Sequence, residues 1–352
     1  MKLVKSNKIL NTDKHDIFAR TIGNKLAPAR KIAILSHVNP DGDAVGSSLA
    51  LSHFLSNDGI DSIVIMPNEY PDYLKWMPGS EDVIIYSKKK KLAEEIVMEA
   101  EILFMLDFNS TERAGKLGPS IKETGAFKIM IDHHPDPDGF ADAILTDTIS
   151  SSTAELVYRY MEKTGKASCI DSRVAECIYA GIMSDTGSFS YNSSEPETYR
   201  VLSELLKRGI DKDAIYSRVY DNFSENRMRL LGFCLDKKMV VLPEYGTAYI
   251  SLSLDEKKKY RFVRGDAEGF VNYPLSIKGI DFAVFFMEND DHIKLSFRSR
   301  GSFDTNIFAV ENFGGGGHLN ASGGESELGL LDTINKFVSV LPKYKERRKA
   351  EG

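Results

Sequence analysis

The sequence predicts an α/β protein of two domains: an N-terminal parallel sheet with helices on both faces, and a smaller mixed α/β domain across a cleft. Short continuous apolar runs alternate with helical patterns from residue 31 to about 131, which is typical of a parallel sheet covered on both sides, and helical patterns dominate from 153 to 220. Strands of alternating apolar and polar residues follow from about residue 247. The 352 residues, 42% of them hydrophobic, suffice for two cores.

The elements of the first domain follow from where the apolar residues fall. Continuous apolar runs predict strands over 32–35, 62–66, 102–106 and 127–131. Helical periodicity predicts helices over 44–55, 92–98, 153–160, 173–183, 197–207 and 213–220. Ser152 and Glu155 have the spacing of a capping box, which predicts that the third helix begins between them.

The second domain is predicted after a boundary at about residues 222–231. Alternating runs predict strands over 247–251, 280–286 and 292–297, each exposed on one side. A glycine-rich loop at 314–317 comes before a final helix near 328–341.

Composition excludes several classes of protein. A net charge of -6 argues against a protein that coats long duplex nucleic acid through a broad basic face. No apolar run is long enough for a membrane span and no signal peptide is visible, so we expect a cytoplasmic protein. The three cysteines form no Cys-x-x-Cys pair, which argues against disulfides and a thiolate zinc site.

Polar clusters follow the predicted strands, where a parallel sheet binds its ligands. Taken singly, an aspartate at a strand end is often a helix cap or a turn residue. Together the clusters offer carboxylates and imidazoles and no thiolate, which suits two divalent ions sharing a bridging carboxylate. Mn²⁺ is the expected ion, with Mg²⁺ or Co²⁺ as alternatives. The candidate residues are His37, Asp41, Asp43, Asp107, Asp132, His133, His134 and Asp185.

These clusters, in this order and with this spacing, resemble the four motifs of the DHH phosphoesterase family. The resemblance implies one metal held by His37, Asp41 and Asp107, and a second held by Asp43, Asp107, His133 and Asp185. It implies three catalytic residues: Asp107 as the bridge, His134 facing the phosphate, and Asp132 orienting its neighbours.

The glycine run, with Ala321 and Gly324 after it, resembles the DHHA1 module of the same family. The resemblance assigns residues 1–222 to a DHH catalytic domain, 223–231 to a linker and 232–352 to a DHHA1 substrate-binding domain. A flexible loop is the competing interpretation of the glycines, and surface ion pairing that of Arg113. The implied substrate-binding residues are Arg113, Arg298, Gly315, Gly316, Gly317 and His318.

Within that family, the chain most resembles the bifunctional oligoribonuclease (nanoRNase) and 3'-phosphoadenosine-5'-phosphate (pAp) phosphatase group. The implied activity is hydrolysis of RNA or DNA oligonucleotides a few nucleotides long, together with conversion of pAp to AMP. A phosphodiesterase for cyclic di-AMP or linear dinucleotides is the alternative enzyme, and a non-catalytic nucleotide-binding module is the alternative from another class. The sequence predicts no membrane partner and leaves open the native metal, the end attacked and the oligomeric state, a homodimer included.

Overall fold

The computed structural model of the protein describes residues 4–317 and 319–351. The chain divides into two units, Met1–Asn222 and Phe223–Gly352. A helix over Glu225–Phe233 lies in the second unit, where the sequence suggests a linker.

Unit one is built on a six-stranded sheet in the order β3-β2-β1-β4-β5-β6. All five neighbouring pairs are parallel, as predicted. Because β1, β4 and β5 are neighbours, their carboxyl ends meet at the centre of one sheet edge. The strands are β1 Ile32–Leu35, β2 Ile63–Met66, β3 Ile84–Ile85, β4 Ile102–Leu106, β5 Phe127–Asp132 and β6 Ala143–Thr146.

Two hydrophobic clusters cover the two faces of this sheet. In β4, Ile102, Phe104 and Leu106 pack in one cluster, and Leu103 and Met105 pack in the other. The first cluster contains residues of α1, α2 and α5–α8, and the second contains residues of α3 and α4. The helices are α1 Val4–Leu26, α2 Gly42–Asn57, α3 Lys90–Glu99, α4 Gly118–Glu123, α5 Thr153–Lys163, α6 Ser172–Asp185, α7 Pro196–Leu206 and α8 Lys212–Tyr220.

Unit two is a mixed sheet in the order β11-β12-β10-β9-β8-β7, in which only the β8–β9 pair is parallel. The strands are β7 Met239–Leu242, β8 Thr247–Leu252, β9 Phe282–Glu288, β10 Ile293–Ser299, β11 Gly316–Gly317 and β12 Ala321–Ser326. The helices are α9 Glu225–Phe233, α10 Leu254–Lys259, α11 Thr305–Phe313 and α12 Leu330–Glu351. In the described part of the chain, no helix combines the length and the apolar character that a membrane span requires.

One expectation for unit two, and one competing interpretation, are wrong. Strand β9 is not exposed on one side, because Phe282 and Phe286 pack into one hydrophobic cluster and Ala283 and Phe285 pack into another. The glycine run is not a free loop either, since its last two residues form β11 and pair with β12. Aromatic side chains dominate one face, and Phe308 contacts the rings of both Phe282 and Phe297.

Candidate metal centre

The predicted ligands of unit one come together at the carboxyl edge of its sheet. His37 follows β1, Asp107 follows β4, and His133 follows β5. Two further carboxylates come from helix ends, since Asp43 lies in the first turn of α2 and Asp185 is the last residue of α6. Sheet ends and helix ends thus deliver side chains from distant parts of the chain to one place.

The ring of His37 is oriented by the backbone. Its Nδ1 lies 2.8 Å from the carbonyl oxygen of Val38, which can only accept, so Nδ1 carries the hydrogen. In the neutral ring, the lone pair is then on Nε2. Nε2 lies 3.1 Å from Asp107 Oδ2 and 4.0 Å from Asp41 Oδ1. Donation of one ring nitrogen to a carbonyl is the usual arrangement of a metal-binding histidine.

His133 is arranged in the same way on the neighbouring strand. Its Nδ1 lies 3.3 Å from the carbonyl oxygen of Ser150, which leaves Nε2 to face two carboxylates. Nε2 is 3.5 Å from Asp185 Oδ2 and 3.7 Å from Asp107 Oδ1. Both histidines therefore present the nitrogen that a cation needs.

Asp107 is shared between the two sides of the centre. It is 2% exposed, and its two oxygens face different histidines, Oδ2 facing His37 and Oδ1 facing His133. Its φ of 66° lies in the left-handed region, which aspartate tolerates better than most residues and which ends β4 at this point. The geometry fits a carboxylate that bridges two ions.

Three groups of side chains have ligand atoms within 4.8 Å of one another. Two ligand atoms that bind one ion at right angles, each with a bond of about 2.1 Å, lie about 3 Å from each other. The shorter distances between ligand atoms in this centre, such as 3.1 Å between His37 Nε2 and Asp107 Oδ2, are close to that value. The residues therefore fit divalent cations. The groups are His37 with Asp41 and Asp107, Asp43 with His133 and Asp185, and Asp107 with His133 and His134.

The N-terminus of α5 holds two of these carboxylates, which the sequence did not reveal. The backbone N–H groups of Thr153 and Ala154 donate to the two oxygens of Asp43 at 2.7 and 2.8 Å. The Thr153 hydroxyl donates to Asp107 Oδ1 at 2.9 Å. The only signal was the helix-start motif at Ser152, since backbone donors leave no trace in a side-chain pattern.

Electrostatics favours positive charge in this centre. Burial and the charges of Asp107 and Asp185 raise the pKa of Asp43 well above its usual value. Burial would also raise the pKa of Asp107, but the hydrogen bond with His37 and the histidine charges outweigh it and lower that pKa. Burial opposes protonation of His133, yet the carboxylates of Asp185 and Asp107 raise its pKa. Divalent cations relieve this repulsion between buried carboxylates.

His134 has a different partner from the other two histidines. Its Nδ1 donates to Asp132 Oδ1 at 2.7 Å, so this nitrogen is not available to a metal, although it lies 3.6 Å from Asp107 Oδ1. Asp132 is fully buried, and its Oδ2 has no hydrogen-bond partner among the described residues. Burial lowers the pKa of His134, Asp132 opposes this effect, and the charge of Arg113 lowers the pKa further.

Close packing between α2 and α6 sets the distance between Asp43 and Asp185. A Cβ on Gly46 would lie 2.5 Å from the carbonyl oxygen of Cys177 on α6. A Cβ on Gly181 would lie 2.6 Å from the Cβ of Ala154 on α5 and 3.2 Å from Asp43 Oδ1 on α2. The distances of 2.5 and 2.6 Å are shorter than real Cβ contacts. Helix α2 therefore packs this closely on α6 only because Gly46 is glycine, and α6 packs this closely on α5 only because Gly181 is glycine.

The remaining predicted substrate residues lie in unit two. Arg298 is on β10, donates Nη1 to the Phe297 carbonyl at 2.9 Å, and has a buried Nε without a partner among the described residues. Gly315 and Gly317 are needed by the sheet itself, because a Cβ would lie 1.8 Å from the Gly323 oxygen and 2.6 Å from the Ala321 oxygen, respectively. Gly316 is exposed. His318 lies outside the described residues.

The chain is similar to several solved structures. An exopolyphosphatase-related protein from Bacteroides fragilis is 45% identical, with a TM-score of 0.91, over 95% of this chain and 98% of the other. RecJ from Thermus thermophilus in complex with Mn²⁺ is 12% identical, with a TM-score of 0.56, over 95% of this chain and 55% of the other, which shows a shared fold.

Sequence relatives and family profiles identify the family of the chain. The bifunctional oligoribonuclease and PAP phosphatase NrnA of Bacillus subtilis is 29% identical over 83% of this chain and 88% of its own length. The protein of the same name from Thermus thermophilus is 28% identical over 91% of each chain. The profile of the DHH family, N-terminal domain, matches residues 31–182, and that of the DHHA1 domain matches 246–343. The chain therefore belongs to the DHH–DHHA1 family of phosphoesterases.

Proposed function

We propose that this protein is a metal-dependent phosphoesterase that hydrolyses very short oligoribonucleotides to mononucleotides and removes the 3'-phosphate of pAp. One observation supports the proposal most directly: Asp107 belongs to two groups of possible ligands. One group contains His37 and Asp41, and the other contains His133. The names of the NrnA relatives supply the substrate class.

We place one divalent ion on His37, Asp41 and Asp107, and the other on the residues around His133. Two such ions would activate water as the nucleophile and offset negative charge on the phosphoryl oxygens. Mn²⁺ is our choice because it accepts both carboxylate and imidazole ligands. The second set is Asp43, Asp107, His133 and Asp185.

His134 is our candidate for the residue that contacts the phosphate. The Asp132 carboxylate fixes its Nδ1 hydrogen, so Nε2 is the atom left for the substrate, and it can donate a hydrogen bond to a phosphoryl oxygen when the ring is protonated. Phosphate would favour the protonated ring, because negative charge raises a histidine pKa. Arg113 is proposed to add a second positive charge on the same side.

Arg298 is proposed to bind a substrate phosphate from unit two. Its buried Nε lacks a partner among the described residues, and a phosphate oxygen would supply one. We expect Arg298→Ala to raise KM about 10- to 100-fold with kcat nearly unchanged, since a hydrogen bond to a charged group contributes about 1.5–3 kcal/mol. Steady-state kinetics on pAp would measure this. Arg300→Ala, an exposed arginine two positions along, is the control; equal kinetics for both variants would remove Arg298 from the site.

Turnover of three substrates side by side tests the proposed function: a 5'-phosphorylated RNA dinucleotide, pAp and cyclic di-AMP, each with Mn²⁺. We expect the first two to be cleaved and the cyclic compound to be spared. Chelation should abolish turnover and added Mn²⁺ should restore it. Activity that survives chelation would contradict the metal-dependent mechanism.

The second candidate is a phosphodiesterase for cyclic dinucleotides. The cyclic-di-AMP phosphodiesterase GdpP of Geobacillus thermodenitrificans is 23% identical over 91% of this chain, although the match spans 50% of that protein. Preference for cyclic di-AMP in the same assay would support this candidate and leave the metal centre unchanged. Binding of all three compounds without turnover would instead favour a nucleotide-binding module.

A further inference from the structure

The turn before α5, residues 150–153, contacts three proposed ligands at once. The carbonyl of Ser150 accepts from His133 Nδ1 at 3.3 Å, and Thr153 donates its N–H to Asp43 at 2.7 Å and its hydroxyl to Asp107 at 2.9 Å. Of these three proposed ligands, His133 follows β5, Asp43 lies in α2 and Asp107 follows β4. A shift of this turn would therefore disturb both sides of the metal centre.

The buried carboxylate of Glu155 contacts this turn from the side of α5. Glu155 is 1% exposed, and its Oε2 accepts from the Ser151 N–H at 3.2 Å, from the Ser151 hydroxyl at 2.6 Å and from the Thr198 hydroxyl at 2.7 Å. The capping-box motif predicts that this carboxylate returns to the backbone of Ser152. Ser152 does cap α5, accepting from the Glu155 N–H at 3.1 Å, but the described hydrogen bonds to the Glu155 carboxylate come from Ser151 and Thr198 instead.

The other oxygen of the Glu155 carboxylate, Oε1, lies near Arg159. Arg159 Nη1 lies 3.8 Å from Glu155 Oε1 and 3.2 Å from Asp147 Oδ2. Hydrogen bonds to a charged group inside a protein are strong and directional, so a carboxylate held from several sides defines the position of its donors. Ser151 is therefore fixed between Ser150 and Thr153, the two residues that contact the ligands.

We propose that Glu155 is a positioning residue of the metal centre, which sets the geometry of Asp43, Asp107 and His133 through the turn 150–153. The inference rests on the proposed metal-dependent function. The competing role is purely structural: through Thr198, the same carboxylate joins α5 to α7 and stabilises the helical layer.

Two matched variants separate these roles, because each removes one of the two hydroxyl groups that donate to Glu155 Oε2. Ser151→Ala removes the hydrogen bond on the side of the turn, and Thr198→Val removes the one on the side of α7; both residues are fully buried. Glu155→Gln is the third variant. Mn²⁺ affinity of the full chain is measured by electron paramagnetic resonance, and the melting temperature is measured with chelator present.

We expect Glu155→Gln to weaken Mn²⁺ binding about 10- to 100-fold and Ser151→Ala to weaken it about tenfold, as for other residues that orient metal ligands. Thr198→Val should lower the melting temperature and change Mn²⁺ affinity less than twofold. Lower melting temperatures with unchanged affinity in all three variants would overturn the proposal, as would equal affinity losses for Ser151→Ala and Thr198→Val. If Glu155→Gln does not fold, the matched pair still decides. A wild-type protein without Mn²⁺ binding would overturn the metal centre itself, and the positioning role with it.

Discussion

Asp107→Asn is expected to lower kcat/KM by about 1,000-fold or more, the largest effect of any single substitution in this chain. Asparagine keeps the size of the side chain and an oxygen that can accept from Thr153, but it removes the negative charge. Asp107 faces His37 with one oxygen and His133 with the other, so both proposed ions lose an anionic ligand together. A loss of about 4 kcal/mol of transition-state stabilisation corresponds to a factor of about 1,000.

Metal content distinguishes a bridging ligand from an ordinary one. Asp41→Asn is the comparison, because the Asp41 carboxylate belongs to the His37 group alone. We expect Asp41→Asn to lose one ion and Asp107→Asn to lose both, as measured by elemental analysis of the dialysed protein. Retention of two ions by Asp107→Asn would show that Asp107 does not bridge.

The convergence of the proposed strand-end ligands was predictable because their pattern is local. His37, Asp107 and His133 each follow a continuous apolar run, and a parallel sheet brings the carboxyl ends of such runs to one edge. The order of the motifs along the chain then pointed to the family. The sequence also predicted the strands β1 and β4 at their observed bounds, since apolar residues fill both strands from end to end.

Short or polar elements were not predictable in this way. Strand β3 has only two residues, and the four residues of β6 end in a polar threonine; β3 pairs with β2 and β6 pairs with β5. Helix α1 is rich in lysine and asparagine, and of its described side chains Phe18, Ala19, Ile22 and Leu26 pack into the core. Such elements depend on tertiary packing more than on local preference.

The groups that hold the proposed ligands in place could not be predicted from the sequence, for a different reason. The donors to Asp43 are backbone N–H groups more than a hundred positions away, at Thr153 and Ala154. The glycines between α2 and α6 matter only because two helices that are distant in sequence cross there. A side-chain pattern identifies what can bind a metal, whereas the groups that hold those side chains in place are set by the fold.

Gly46→Ala is expected to lower both the stability of unit one and its affinity for Mn²⁺. Alanine favours a helix over glycine by about 1 kcal/mol, which alone would stabilise the protein. The new Cβ, however, would meet the Cys177 carbonyl at 2.5 Å and the backbone of Gly181 at 3.1 Å, and backbone atoms cannot rotate away. Overpacking costs about 1–3 kcal/mol, occasionally more, so the clash should outweigh the gain.

Separation of α2 from α6 would increase the distance between two proposed metal ligands, since Asp43 lies on α2 and Asp185 lies on α6. We therefore expect the melting temperature to fall by several degrees, at roughly 2–4 °C per kcal/mol, and Mn²⁺ affinity to fall about tenfold or more. Gly23→Ala is the matched control: it lies within α1 of the same unit, and its Cβ would meet nothing within 4 Å. That variant should gain stability and bind Mn²⁺ normally. If Gly46→Ala behaved like Gly23→Ala, the contact between the helices would not be what sets the spacing of the two carboxylates.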